Sequence, residues 1–256
     1  MNKHFTEIDS TNAEMHRMMR EDVENFSYIT ADYQTAGRGQ VGNTWESEPN
    51  ANLLYSVLVK PAELDVRRQF YLSMAVSVAI VEGIETAVGQ KISELHIKWP
   101  NDIYYKYYKL GGILIENSLR NHLIASSIIG LGLNVNQREF VSDAPNPISL
   151  CHIVEQPPKP AEIAEKITES LKNWMPRVDM EDWPTIVNAY MSRLYRFDGK
   201  LHTFSADNQE FEATIKHIEP DGRLVLQMGN GEHKSFYFKE VEYINPVATE
   251  YKRSNK

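Results

Sequence analysis

The spacing of apolar residues predicts three helices in the first 195 residues besides a short one near the start. Apolar positions recur every three or four residues from Asp65 to Val88, as in an amphipathic helix that covers one face of a sheet. After a proline-rich break, two further helices are predicted, one with the apolar series Ile163, Ile167, Leu171 and Trp174 and one that begins at Asp182 and Pro184.

Segments rich in β-branched and aromatic residues predict a sheet. The predicted strands are 26–33, 52–60, 95–99, 103–105, 112–119 and 123–135. The last four follow one another with short polar breaks, which favours antiparallel neighbours. The first two are separated by segment 34–50, which is long for a connection and is therefore a candidate functional loop.

The pattern changes near Arg196. Short alternating segments follow, with turn sequences at Asp198-Gly199, Asp221-Gly222 and Asn230-Gly231, as in a small β-barrel. We therefore predict an α+β fold, with a mixed, mainly antiparallel sheet flanked by helices in residues 1–195 and a small barrel in residues 196–256.

The polar triplet Ser10-Thr11-Asn12 is predicted to lie at a helix N-terminus. Thr11 followed by Glu14 fits a capping box, and methionines follow at helical spacing.

Composition narrows the class of protein. A formal net charge of -8 argues against a nucleic-acid partner. The most apolar stretch, 123–133, is short of the roughly 20 residues that span a bilayer, and the first twelve residues do not resemble a secretory signal. The single cysteine, Cys151, excludes an intramolecular disulfide and a multi-cysteine metal site. We expect a soluble, cytoplasmic protein without a membrane partner.

Segment 32–45 has the chemistry of an anion-binding loop. Three of its residues within six positions are glycines, which allow close backbone approach, and Arg38 supplies a forked cationic donor. A glycine-rich hairpin with a solvent-facing arginine would look similar. Trp45 either stacks on a bound ring or anchors the loop.

Two later segments combine lysines with a carboxylate. In Lys98-Trp99-Pro100-Asn101-Asp102, the carboxylate is a candidate Mg²⁺ ligand, and Lys98 and Lys109 are candidates to neutralise a phosphoryl group. Taken singly, each lysine also reads as a surface charge and Asp102 as a turn cap. The third segment, 130–136, ends an apolar strand with glycines and Asn134.

Together and in this order, these segments closely resemble the catalytic domain of biotin protein ligases, over about residues 7–136. The resemblance implies a class II synthetase-like domain with an SH3-like C-terminal barrel, in the form without an N-terminal DNA-binding domain. It also implies a reaction in which the carboxylate of biotin attacks the α-phosphate of ATP. A lysine of a biotin carrier domain then attacks the biotinyl-5′-adenylate and releases AMP.

The resemblance also implies residue roles. Lys109 and Arg38 would be catalytic. Biotin would contact Ser10, Thr11, Asn12, Gln34, Gly37, Arg38, Gly39, Gln40, Lys109 and Gly112. The nucleotide would contact Arg38, Trp45, Lys98, Asn101 and Asn134, and Asp102 would hold Mg²⁺. Gln40 and Asn43 stand where many relatives have basic residues, which predicts a leaky adenylate intermediate.

Three alternatives remain open at this point. A lipoate ligase or octanoyl transferase uses a related domain, but its substrate needs an apolar tunnel in place of the polar triplet. The second is a ligand-sensing regulator that binds DNA, which the acidic net charge does not favour. The third is a structural adaptor built on the C-terminal barrel, which leaves Arg38, Asp102 and Lys109 without a shared explanation. The acceptor protein stays unidentified, and the protein is expected to be a monomer or a homodimer.

Overall fold

The helices and strands are defined by a computed structural model that describes residues 2–40, 43–141 and 146–245. The helices are α1 (Thr11–Met18), α2 (Gln69–Val88), α3 (Pro160–Asp179) and α4 (Trp183–Ser192). The strands of the first sheet are β1 (Asn2–Ile8), β2 (Tyr28–Gln34), β3 (Leu53–Val59), β4 (Leu64–Asp65), β5 (Leu95–Lys98), β6 (Asp102–Tyr105), β7 (Tyr108–Arg120) and β8 (Leu123–Leu133). Those of the second sheet are β9 (His202–Ala206), β10 (Gln209–Ile218), β11 (Leu224–Met228), β12 (His233–Phe236) and β13 (Glu242–Tyr243).

The first sheet has eight strands in the order β1-β2-β3-β8-β7-β6-β5, with β4 paired to β8. Every pairing in it is antiparallel except that of β1 with β2, where Phe5 lies opposite Ala31. The predicted mixed, mainly antiparallel sheet is therefore confirmed. The sequence pattern does not predict β1, because this strand forms an edge and most of its side chains are exposed.

The two faces of this sheet are covered differently. α2 and α3 pack together over one face, where Leu72, Ile80, Ile163 and Ile167 are fully buried in the main core. α1 covers the other face, and its Met15 belongs to a second, smaller cluster of buried side chains. That face is therefore only partly covered, which leaves room for a cavity beside α1.

The predicted long helix is confirmed, with a short 3₁₀ turn, Val66–Arg68, before α2. The span Val66–Val88 is long and apolar enough to cross a membrane, and 67% of its most apolar window is buried inside the protein.

The capping interpretation of α1 needs a correction. Ser10, and not Thr11, is the N-cap residue, because its side chain accepts from the Ala13 N–H at 3.5 Å.

The second sheet has five antiparallel strands in the order β12-β11-β10-β9-β13 around a core that includes Phe204, Leu224 and Leu226, and it fits the predicted SH3-like barrel. It packs against the first sheet, where the Trp99 indole N–H donates to the Gly222 carbonyl at 2.8 Å. The domain boundary between residues 195 and 196 falls between α4 and β9 and stays a prediction.

Candidate active site

A cavity of about 660 Å³ lies between the uncovered part of the first sheet and the barrel. Its walls come from the start of α1, the loop after β2, the β5–β6 turn, strands β7 and β8, and the end of the barrel. Thirteen of the predicted site residues line it: Ser10, Thr11, Asn12, Gln34, Arg38, Gly39, Gln40, Trp45, Lys98, Asn101, Asp102, Lys109 and Gly112. The fold thus brings together residues that lie more than 100 positions apart in sequence, such as Ser10 and Gly112.

Glycines form the floor of the cavity. Gly112 lies opposite Gly132 in the β7–β8 pair, and Gly130 lies two residues before Gly132 on the same face of β8. A Cβ atom at Gly132 would overlap the Trp45 indole, and one at Gly130 would overlap the Asn12 side chain. The glycines of segment 130–136 are thus needed because two side chains approach the strand backbone closely.

The loop after β2 folds back over this floor. The Gly39 N–H donates to the Asn43 carbonyl at 3.0 Å, and the Trp45 N–H donates to the Gly37 carbonyl at 3.1 Å. The Trp45 indole therefore lies on the glycines and anchors the loop. Within the described part of the chain, the buried Trp45 Nε1 and Gln40 Oε1 atoms have no hydrogen-bond partner. Both atoms belong to residues that line the cavity, so a ligand bound there can form hydrogen bonds with them.

One end of the cavity is charged. Lys98 and Asp102 face each other in the β5–β6 pair, and Lys109 Nζ lies 2.8 Å from Asp102 Oδ1. Lys98 Nζ donates to the Tyr104 hydroxyl at 3.2 Å and lies 5.2 Å from the ring centroid of Tyr243, a barrel residue. Burial lowers the pKa of Lys98, which the nearby Asp102 carboxylate partly offsets. This end can stabilise an anion.

Arg38 also lines the cavity and is exposed. No ion pair is found for its guanidinium among residues 2–40, 43–141 and 146–245. Its forked donors are therefore available to a carboxylate or phosphate.

The other end of the cavity is polar and mostly uncharged. The side-chain oxygen of Gln34, Oε1, accepts a hydrogen bond from the Thr11 backbone N–H at 2.7 Å and from the Thr11 hydroxyl at 3.0 Å. The Asn12 amide accepts from the Ser56 hydroxyl and donates to Glu116 at 2.7 Å. Ser56 and Glu116 were not predicted. Their signals in the sequence are a serine inside the apolar strand β3 and a glutamate directly after an apolar run in β7.

Three predicted residues have other positions or contacts than expected. Asn134 does not line the cavity, because its buried side-chain amide donates to the Ile148 carbonyl at 3.1 Å, so its predicted nucleotide contact is not supported. Gly37 lies beside the cavity and leaves room for the Trp45 backbone. Asn101 does line it, but its amide donates to the Ile113 carbonyl, which leaves it less free to bind a ligand.

The barrel contributes residues that the sequence did not indicate. Phe238, Lys239, Val241, Glu242, Tyr243 and Asn245 line the cavity. Burial raises the pKa of Tyr243, whose hydroxyl has no hydrogen-bond partner among the described residues. The sequence of the short strand β13 does not indicate that its residues line a cavity formed mainly by the first sheet.

The protein offers few side chains that could bind a metal ion at this site. The described residues contain no group of three or more His, Cys, Asp or Glu side chains that could hold a metal ion. Asp102 is the carboxylate nearest the lysines, and its side chain is 19% exposed. A cation here would take most of its ligands from a substrate and water, as Mg²⁺ commonly does.

Comparison with known proteins identifies relatives. Over 131 residues the chain is 35% identical to the bifunctional ligase/repressor BirA of Bacillus spizizenii, a match that covers 51% of this chain and 39% of that protein. Over 207 residues it is 27% identical to a biotin–[acetyl-CoA-carboxylase] ligase of Mycobacterium tuberculosis, covering 78% and 73%. The chain spans about two fifths of the length of the first curated relatives that it matches.

A solved structure shares the fold. The biotin protein ligase of Aquifex aeolicus, in complex with biotin and ATP, matches with a TM-score of 0.75 and 22% identity, over 95% of this chain and 99% of that one. The model of the biotin/lipoate A/B protein ligase family matches residues 5–134, a little over half of the sequence. The chain therefore belongs to the biotin/lipoate A/B protein ligase family.

Proposed function

We propose that the protein is an ATP-dependent biotin protein ligase. It would form biotinyl-5′-adenylate and pyrophosphate from biotin and ATP, and it would then transfer the biotinyl group to a lysine of a carrier domain with release of AMP. The observation that supports this most directly is the polarity of the cavity, which has an uncharged hydrogen-bonding end at Ser10 and Gln34 and a charged end at Lys98, Asp102 and Lys109. Biotin has the same polarity, with a neutral ureido ring at one end and a carboxylate at the other.

At the charged end, activation would depend on positive charge. As the biotin carboxylate attacks the α-phosphate, negative charge builds up on the phosphorus oxygens. The Lys109 ammonium and the Arg38 guanidinium, which both line the cavity, would stabilise that charge, and Lys98 would add a third cation. Because Lys98 is largely desolvated, its charge would act more strongly than one at the surface.

Mg²⁺ fits this site as a partner of the nucleotide. Asp102 offers one carboxylate, and the phosphates and water would supply the remaining ligands. When bound, the ion would neutralise charge on the triphosphate.

The second step requires that the anhydride is kept from water until the acceptor arrives. The Trp45 loop closes one side of the cavity and the barrel closes another, through Phe238 and Tyr243. The acceptor amine would enter between them and displace AMP. We propose a biotin carrier domain of a carboxylase as acceptor and the cytoplasm as the location.

The alternative within the family is ligation of lipoate or transfer of octanoate. An alkyl or dithiolane chain offers few hydrogen bonds, so it would leave the Gln34 NH₂ group and the Thr11 hydroxyl lone pairs without ligand partners. This cost favours biotin.

Transfer to a carrier domain tests the whole proposal. Purified protein, ATP, Mg²⁺ and biotin are incubated with an isolated biotin carrier domain, and the mass of the carrier is measured. We expect one biotinyl addition at a single lysine, and none when that lysine is replaced by arginine. A carrier that gains lipoyl or octanoyl mass, and no biotinyl mass, would contradict the assignment.

A further inference from the structure

A chain of hydrogen bonds runs from Glu116 to the polar end of the cavity. Glu116 Oε2 accepts from Asn12 Nδ2 at 2.7 Å, and Asn12 Oδ1 accepts from the Ser56 hydroxyl. The Ser56 oxygen also lies 2.7 Å from the Thr11 hydroxyl, which in turn donates to Gln34 Oε1 at 3.0 Å. Glu116 does not line the cavity, whereas Thr11, Asn12 and Gln34 do.

The carboxylate fixes the orientation of the Asn12 amide. An ionised carboxylate only accepts hydrogen bonds, so Asn12 must turn its NH₂ group towards Glu116. Its carbonyl then faces Ser56. Asn12 is 3% exposed and packs against Gly130, so neither amide atom has an easy alternative partner in water.

The orientation of Asn12 affects the remaining members of the chain. Ser56 has one hydroxyl proton and two acceptors, Asn12 Oδ1 and Thr11 Oγ1. When that proton goes to Asn12, the Thr11 hydroxyl shares its own proton between Ser56 and Gln34 Oε1 and accepts none from Ser56, so the Thr11 Oγ1 lone pairs are left for a ligand N–H. Gln34 uses its carbonyl for two bonds from Thr11, so its NH₂ group is the part left for a ligand.

We infer that Glu116 is a positioning residue that sets which donors and acceptors the polar end of the cavity presents to the ureido ring. This inference rests on the proposed function. A ureido ring has one carbonyl and two N–H groups. Its carbonyl would accept from the Gln34 NH₂ group, and one of its N–H groups would donate to the Thr11 hydroxyl. Octanoate has neither group, so Glu116 contributes to selection of biotin without contacting it.

Charges near Glu116 do not compete for this role. Among the described residues, His16 is the ionisable side chain that contacts Glu116, with Nε2 3.5 Å from Oε2, and it is 43% exposed. Glu116 itself is 30% exposed, so its carboxylate reaches water on one side and Asn12 on the other.

The test compares Glu116→Ala and Glu116→Gln with Asn117→Ala as a control. Asn117 is the next residue of β7, has its side chain on the opposite face and hydrogen-bonds Gln69 away from the cavity. Biotin dissociation constants are measured by calorimetry without ATP, and pyrophosphate release is measured at saturating biotin. Thermal unfolding checks that each variant is folded.

We expect Glu116→Ala to weaken biotin binding about tenfold or more, the equivalent of one misdirected hydrogen bond. The rate at saturating biotin should stay within about twofold, because Lys109 and Arg38 are unchanged. Glu116→Gln should recover part of the affinity, since its carbonyl can accept from Asn12 but no longer enforces one orientation. Asn117→Ala should bind biotin as the wild type does.

Two results would overturn the inference while leaving the ligase assignment intact. One is unchanged biotin affinity in folded Glu116→Gln and Glu116→Ala variants. The other is a lower saturating rate without a change in affinity. Failure of the wild type to release pyrophosphate with biotin would instead reject the proposed function and the inference together.

Discussion

Lys109 Nζ and Asp102 Oδ1 lie 2.8 Å apart, so the ammonium at the charged end of the cavity is paired before any substrate binds. Both side chains are about one fifth exposed, 23% for Lys109 and 19% for Asp102. An anionic substrate would therefore meet an ammonium that is already oriented. The pair holds the lysine in place, and the carboxylate reduces the net positive charge of the empty site.

The first prediction concerns Lys109→Ala. Because the ammonium would stabilise charge on the α-phosphate, we expect adenylate formation to fall at least about 100-fold. Stability should change by only about 1 kcal/mol, since partly exposed ion pairs contribute little. Biotin-dependent pyrophosphate release and urea unfolding measure the two effects. A folded Lys109→Ala protein with normal activity would contradict the role of this lysine.

The second prediction concerns Asp102→Asn. Loss of the carboxylate should raise the Mg²⁺ concentration for half-maximal rate about tenfold, equivalent to about 1.4 kcal/mol of lost cation binding. The measurement is pyrophosphate release against Mg²⁺ concentration at fixed ATP. If the Mg²⁺ dependence stays the same while the rate falls, Asp102 acts only by orienting Lys109.

The third prediction concerns Gln40, whose side-chain oxygen, Oε1, is buried and has no hydrogen-bond partner within the described residues. A neutral side chain here should hold the adenylate weakly. We expect Gln40→Arg to slow release of biotinyl-adenylate about tenfold or more, because a hydrogen bond to a charged group contributes about 1.5–3 kcal/mol. Free adenylate is measured by chromatography during turnover without acceptor. A wild-type protein that releases adenylate no faster than it turns over would show that the intermediate is not leaky.

The fourth prediction concerns stability and pH at the pair Glu85 and Arg193, which joins α2 to the end of α4. Two hydrogen bonds, at 2.9 and 2.8 Å, connect the guanidinium to the carboxylate. Burial alone would raise the pKa of Glu85, but the hydrogen bonds from Arg193 and from the Ile92 N–H outweigh it, so the pKa is lowered. The pair therefore stabilises the fold above the ordinary pKa of a glutamate, and this contribution is lost as the pH falls through the lowered value.

Arg193→Met removes the partner and leaves burial to raise the pKa of Glu85. The variant should be less stable than the wild type by about 3 kcal/mol at pH 7. Since protonation then favours the folded variant, the difference should narrow towards pH 5. Urea unfolding at both pH values measures it, with Arg193→Met/Glu85→Gln as the control that should show little pH effect. A difference that is the same at both pH values would reject this explanation.

The fold was largely predictable because burial leaves a periodic record in the sequence. α2 and strands β3 and β8 are mostly buried, and their apolar residues are clear in the sequence. β1 was missed because an edge strand needs few apolar side chains. The capping residue of α1 was placed one position late, since Ser10 and Thr11 are chemically equivalent as caps.

The site was predictable where chemistry is concentrated in short motifs. Arg38, Asp102 and Lys109 were found because charged side chains beside glycines or at strand ends are informative in sequence. Glu116 and Tyr243 were not found, because one acts through Asn12 and the other reaches the cavity only through packing of the barrel. Such contacts depend on tertiary structure and have no local signal.

The most direct test of the central claim is pyrophosphate release by the purified protein with ATP and Mg²⁺, compared among biotin, lipoate and octanoate. We predict release with biotin and only background with the other two acids. Release of pyrophosphate with lipoate or octanoate but not with biotin would contradict the account, and the same residues would then be assigned to the activation of that acid. Release with none of the three would contradict the proposed enzymatic activity itself.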